Sequence, residues 1–114
     1  MIVALDYDDT FTHKPAAWLA VISVLKLNGY KVIGATLRNR YQPVDENFLH
    51  SCDAVVYCAG LAKDDTLADF GYAVDIWIDD KPRYIHASYE EIHGTKWLVP
   101  DDSPADLWEP LLMK

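Results

Sequence analysis

Ile2-Val3-Ala4-Leu5-Asp6-Tyr7-Asp8-Asp9-Thr10 is the stretch on which the reading of this chain turns. Four apolar residues run without interruption into three carboxylates and a hydroxyl. A short continuous apolar run closed by polar residues reads as a strand buried on both faces, which is what a parallel sheet requires. Three more runs share that character: Lys31 to Ala35, Ala54 to Cys58, and Val74 to Ile78. Each is rich in Val, Ile or Tyr, and each gives way to polar residues or Gly. Lys96-Trp97-Leu98-Val99, stopped by Pro100, is a fifth strand candidate.

Helical stretches lie between these runs. Pro15 suits a first helical turn, and Trp18, Leu19, Ile22, Leu25 and Lys26 follow at near-helical spacing before Asn28-Gly29 ends the pattern. Asp45 to Ser51 predicts a short second helix with Phe48 and Leu49 inward. Asp64-Asp65-Thr66 reads as the N-cap region of a helix running through Phe70 and ended by Gly71. The apolar positions Leu107, Trp108, Leu111 and Leu112 predict a last helix over Asp106 to Met113, with Pro110 inside it, and they read as core rather than as a partner site. Alternating strands and helices predict an α/β class: a three-layer α/β/α sandwich with a doubly wound, mainly parallel, Rossmann-like sheet and right-handed crossovers. With 114 residues the chain suffices for one domain, expected over 1–114, and leaves no room for a separate cap domain.

Composition narrows the function. Hydrophobic residues make up 51 % of the chain, so a packed core is expected rather than disorder. No apolar run is long enough to span a bilayer, and the N-terminus lacks a basic region followed by a long apolar stretch. A cytoplasmic protein with no membrane partner is therefore expected. Cys52 and Cys58 have neither zinc nor redox spacing and read as ordinary thiols. A formal charge of −8 repels polyphosphate backbones, which argues against nonspecific nucleic-acid binding. It does not forbid an anionic substrate, because a divalent cation can invert the sign locally.

In a parallel α/β sheet, ligands bind at the carboxyl ends of the strands. Here those ends carry Asp6, Asp8 and Asp9 on the first strand, Thr36 on the second, Gly60 and then Lys63 after the third, and Asp79 and Asp80 on the fourth. Like-charged pairs brought to about 4 Å at an effective dielectric near 20 repel by roughly 4 kcal/mol, and a hard cation would offset this. All-oxygen ligation suits Mg²⁺. A phosphoryl group could then be accepted, with Lys63 and Thr36 on its remaining oxygens.

The order of these segments resembles the haloacid dehalogenase (HAD) superfamily of phosphohydrolases. Ile2 to Thr10 is similar to its first motif, an apolar strand closing in Asp-x-Asp-x-Thr. Lys31-Val32-Ile33-Gly34-Ala35-Thr36 resembles the second, Lys63 stands where the third motif's lysine is expected, and Asp75-Ile76-Trp77-Ile78-Asp79-Asp80 resembles the fourth. The resemblance implies a small capless phosphatase. Asp6 would be the nucleophile that forms an aspartyl-phosphate, and Asp8 the general acid/base. Mg²⁺ would be held by the Asp6 carboxylate, the Asp8 backbone carbonyl and Asp79, with Asp80 close by. Thr36, Lys63 and Thr10 would contact the phosphoryl group or its surroundings. Asp8, an acid two residues after the nucleophile, favours phosphate-ester over carbon–halogen chemistry.

The implied substrate is a small phosphomonoester or a phosphorylated macromolecule, and either a bulky substrate or a homo-oligomer would complete an otherwise open cleft. Lys81 competes with Lys63 for the phosphate role. His13 lies beside Thr10, whereas His50, His86 and His93 lack metal-ligand spacing; Arg38 and Arg40 could contact substrate in place of Thr36 but are expected to face solvent. Two other classes compete. A signalling receiver domain needs an acid closing its third strand, and this strand closes in Cys58-Ala59-Gly60. A non-catalytic phosphoryl- or metal-binding module on the same scaffold would keep every one of these acids.

Overall fold

Ile2–Asp6 forms strand β1, and Lys31–Thr36, Ala54–Tyr57 and Ile76–Ile78 form β2, β3 and β4. The computed structural model describes residues 1–96 and 102–114. A fifth strand, β5, is Leu111–Met113, and the sheet order is β4-β1-β2-β3-β5. The first four strands are parallel; β5 runs antiparallel to β3. The expected α/β class with a mostly parallel sheet is therefore present.

Alternate residues of the central strands enter two apolar clusters. Leu5, Val32 and Val55 join Ile22 and Phe48, with Trp18, Leu19, Leu25 and Leu49 packed alongside. Ala4, Ile33, Ala35 and Val56 join Leu67, with Phe70 and Trp77 against them. The first set draws on helices α1, Pro15–Leu27, and α2, Glu46–Ser51; the second draws on α3, Lys63–Asp69. Pro15 opens α1, and Gly29, at φ +84°, follows its Asn28 cap in the left-handed conformation that glycine adopts without a Cβ clash. The Asp45 carboxylate accepts from the Asn47 N–H to cap α2.

Gly34 makes the close approach of α2 possible: a Cβ there would lie 2.5 Å from Phe48 Cε2. At the amino ends of the strands, Asp75 accepts from the Ile2 N–H and Asp53 from the Val32 N–H, each at 2.7 Å, so acids at that pole terminate backbone ladders.

Several expectations are corrected. Asp106 to Met113 is not a helix: residues 105–108 turn, Pro110 removes an N–H that a helix would need, and Leu111–Met113 pairs with Val55 to Tyr57 instead. The apolar spacing of Leu111 and Leu112 thus serves two faces of a strand, Leu111 packing on one cluster and Leu112 on the other. In the strand candidate 96–99, Lys96 is outside any strand, and 97–99 lies outside the described residues. α3 begins at Lys63 itself, one residue before the acids read as its cap. Two short helices, α4 at Arg83–His86 and α5 at Tyr89–His93, were not anticipated. No helix among the described residues is long and apolar enough to cross a membrane.

Candidate active site

β1 and β4 are neighbours in parallel register, with Leu5 opposite Ile78, so the residues that follow each strand emerge at one edge. Asp6 closes β1 and is only 7 % exposed. The Nζ of Lys63, from the first turn of α3, lies 2.8 Å from Asp6 Oδ1 and 2.6 Å from Asp79 Oδ2. The Thr10 hydroxyl lies 3.0 Å from Asp6 Oδ2 and 3.1 Å from Asp80 Oδ1, bridging the two acidic loops. Asp79 Oδ1 accepts from the Lys81 N–H at 2.9 Å. Asp6, Lys63, Thr10, Asp79 and Asp80 thus form one connected polar network drawn from segments more than 70 residues apart.

Burial dominates the electrostatics of Asp6 and raises its carboxyl from 3.8 to about 7; Lys63 opposes the shift, and the neighbouring Asp80 and Asp79 add to it. Burial also pulls down on Lys63, but Asp6 and Asp79 outweigh it and hold the ammonium above its ordinary value. On Asp80, burial pushes upward and is overcome by hydrogen bonding with Asp6 and Thr10, so its carboxyl lies below the usual range.

Asp6, Lys63, Asp79 and Asp80 open into a cavity of about 590 Å³, also lined by Asp8, Asp9, Leu37, Arg38, Gln42, Lys81, Tyr84 and Tyr89. Asp9 occupies the left-handed region at φ +62°, which Asp tolerates better than most residues, and its carboxylate pairs with Lys81 at 3.4 Å. Asp8 points to Arg38: Arg38 Nε lies 3.0 Å from Asp8 Oδ2 and Nη2 lies 2.8 Å from Oδ1. Arg38 was expected in solvent and is instead a wall of the cavity. Arg40 is also paired, to Asp106 at 3.2 Å and Glu109 at 3.9 Å.

Thr36 is buried, and its Oγ1 accepts from the Arg38 N–H at 3.2 Å rather than lining the cavity. His13 lines a separate hollow with Asp9, Thr10, Asp79 and Asp80. His93 bonds the Tyr84 hydroxyl at 2.7 Å and His86 bonds Asp64 at 2.7 Å. Cys52 and Cys58 are buried, which pushes both thiols up to about 12 and leaves them poor nucleophiles.

The carboxylates of Asp6, Asp79 and Asp80 each offer an oxygen within 4.8 Å of the others, the one such group among the described residues that could hold a metal ion. Three carboxylates against one ammonium leave an excess of negative charge, and the donor set is all oxygen, so a hard divalent cation fits the residues present. Asp8 offers no carboxylate to that trio, because Arg38 holds it. No family model matches the chain, and neither a curated protein nor a solved structure matches it.

Among the cavity residues, sequence reasoning missed Gln42, Tyr84 and Tyr89, and it raised Arg38 as a substrate contact only to favour solvent for it. Arg38 had a usable signal, since it lies two positions beyond a strand whose end was already assigned to the site. The others stand on short segments with no apolar periodicity.

Proposed function

We propose that this chain is a Mg²⁺-dependent phosphomonoesterase on a HAD-like, doubly wound scaffold, acting through an aspartyl-phosphate on Asp6. The observation that carries the reading is the meeting of Asp6, Lys63, Asp79 and Asp80 at the carboxyl edge of the sheet, inside one open cavity.

The ionised Asp6 carboxylate attacks phosphorus in line, the P–O bond to the alcohol breaks, and the alkoxide takes its proton from Asp8. In the second half, Asp8 as carboxylate takes a proton from water, the water attacks the acyl-phosphate, and Asp6 and phosphate are regenerated. Lys63, fixed between two acids, places its ammonium beside the nucleophile, where it neutralises phosphoryl oxygens as charge builds. Thr10 orients the Asp6 carboxylate through its hydroxyl. Thr36 acts from behind the wall, on the backbone of Arg38. Mg²⁺, held by Asp6, Asp79 and Asp80, with the Asp8 backbone carbonyl as a further ligand, would screen the substrate's negative charge. The cavity is open, which suits either a small phosphomonoester or the phosphorylated end of a larger molecule.

The test is hydrolysis of an aryl phosphate with Mg²⁺, run on the wild type and Asp6→Asn. Turnover in the wild type and its loss by about 10³-fold or more in the folded variant is expected, as for removal of a covalent nucleophile. Retained activity in Asp6→Asn removes it from that role. No hydrolysis by the wild type, together with no fluoroberyllate adduct, leaves a non-catalytic binding module.

A further inference from the structure

Arg38 is held in place by contacts that do not involve Asp8. Its Nη1 donates to the carbonyl oxygens of Pro43 at 3.2 Å and Gln42 at 3.5 Å, and its guanidinium sits 5.0 Å from the centroid of the Tyr7 ring. Tyr7 is itself anchored, its hydroxyl accepting from the Asp45 N–H at 3.0 Å. The backbone under Arg38 is pinned as well: the carbonyls of Thr36, Leu37 and Arg38 accept from the amides of Cys58, Gly60 and Ala59. One edge of the guanidinium, Nε with Nη2, therefore faces the cavity as a preorganised fork, and it grips a carboxylate in two-pronged fashion.

That carboxylate belongs to Asp8, the residue assigned to proton transfer. Held as a carboxylate by Arg38, Asp8 is turned to the fork and has no proton to give; once released it can take a proton from solvent and pass it to the leaving alkoxide. Something must take its place on the fork. A second anion on the substrate has the right chemistry, because it would exchange one anion for another without disturbing the supports of Arg38.

Resting on the phosphatase reading above, we propose that Arg38 is a specificity residue that receives a second anionic group of the substrate, carboxylate or phosphate, and thereby releases Asp8 to the reacting centre. The substrate class is then a phosphomonoester bearing a further anion a few bonds from the ester oxygen. Because anion replaces anion on the fork, net binding changes little and the gain falls on turnover.

The experiment compares ω-phosphooxy-alkanoates and α,ω-alkanediol bisphosphates with alkyl phosphates of matched length, on the full chain with Mg²⁺. At the chain length that reaches the fork, kcat in the wild type should exceed that of the alkyl phosphate by about 10- to 100-fold, the range of a charge-assisted hydrogen-bonded pair, with KM nearly unchanged. The carboxylate and bisphosphate arms show which anion is read. In Arg38→Ala, Asp8 is free for every substrate, so the ratio should collapse toward one by a rise in kcat on the alkyl phosphates; Arg38→Lys should give an intermediate ratio.

A second measurement needs no variant: acetate or formate added in trans should raise kcat of the wild type on an alkyl phosphate. A wild-type ratio near one without activation by acetate overturns the assignment, as does a fall of kcat on both classes together in folded Arg38 variants, which is what a merely structural arginine would produce. Absence of hydrolysis of every compound overturns the phosphatase reading itself and this inference with it.

Discussion

At Asp6, burial works against the ionised carboxylate that the proposed chemistry needs. Its carboxyl titrates at about 7 in the native chain without metal, against 3.8 when unfolded. Below 3.8 both states are protonated and the group has no effect. Between 3.8 and about 7 the native state keeps a proton that the unfolded state has released, so native stability declines as pH rises through that window. Above about 7 the full penalty, of order 4 kcal/mol, is present. Asp80 has the opposite sign, but its influence lies below 3.8 and outside the window. In chelator, therefore, urea midpoints of the wild type should fall from pH 4.5 to pH 8, and Asp6→Asn should flatten that slope and be the more stable protein at pH 8. Parallel pH profiles for the two proteins would remove Asp6 as the source. Asp6, Lys63, Asp79 and Asp80 were legible because each directly follows or opens an element that the apolar pattern marks. Arg38 was not, because a cation just past a strand can lean inward or outward, and its contacts with Asp8, Tyr7 and the carbonyls of Gln42 and Pro43 decide which.

Strands β1 to β3 and helix α1 were legible as elements, since uninterrupted apolar runs and a Pro start with a Gly stop leave little ambiguity. The C-terminal segment misled because Leu107, Trp108, Leu111 and Leu112 satisfy helical spacing while Leu111-Leu112-Met113 also satisfies a strand. Pro110 and the open edge of β3 decide for the strand. Helices α4 and α5 span four and five residues, too short for any periodicity to emerge, yet the segment around them supplies Tyr84 and Tyr89 to the cavity. The packing of α2 on β2 rests on the missing side chain of Gly34. Gly34→Ala would push a methyl group into the Phe48 ring and against Val55, so it should lower stability by about 1–3 kcal/mol, the usual range for overpacking a dense core. Denaturant unfolding checks this, and a neutral or stabilising result would mean that α2 can shift away from the sheet.

Across the whole molecule, the polar network joins Asp6 to Asp79, and the strands that carry them are held together by three register pairs, against five between β1 and β2. β4 is also a sheet edge and only partly buried, so it belongs at the low-stability end of the fold. Mg²⁺ bound across the two acidic loops should raise the melting temperature, since a ligand of the native state stabilises by mass action. It should also slow hydrogen exchange in β4 and its flanking loop far more than in β3. Equal slowing throughout would point to a metal bound elsewhere.

That narrow junction makes the candidate site more fragile than the body around it. A mild perturbation, such as modest warming or low urea, can part the outermost strand while α1, α2 and the inner strands stay packed. If the chain is the phosphatase proposed, loss of its activity should then run ahead of unfolding, and the gap between the two midpoints should close as Mg²⁺ is added.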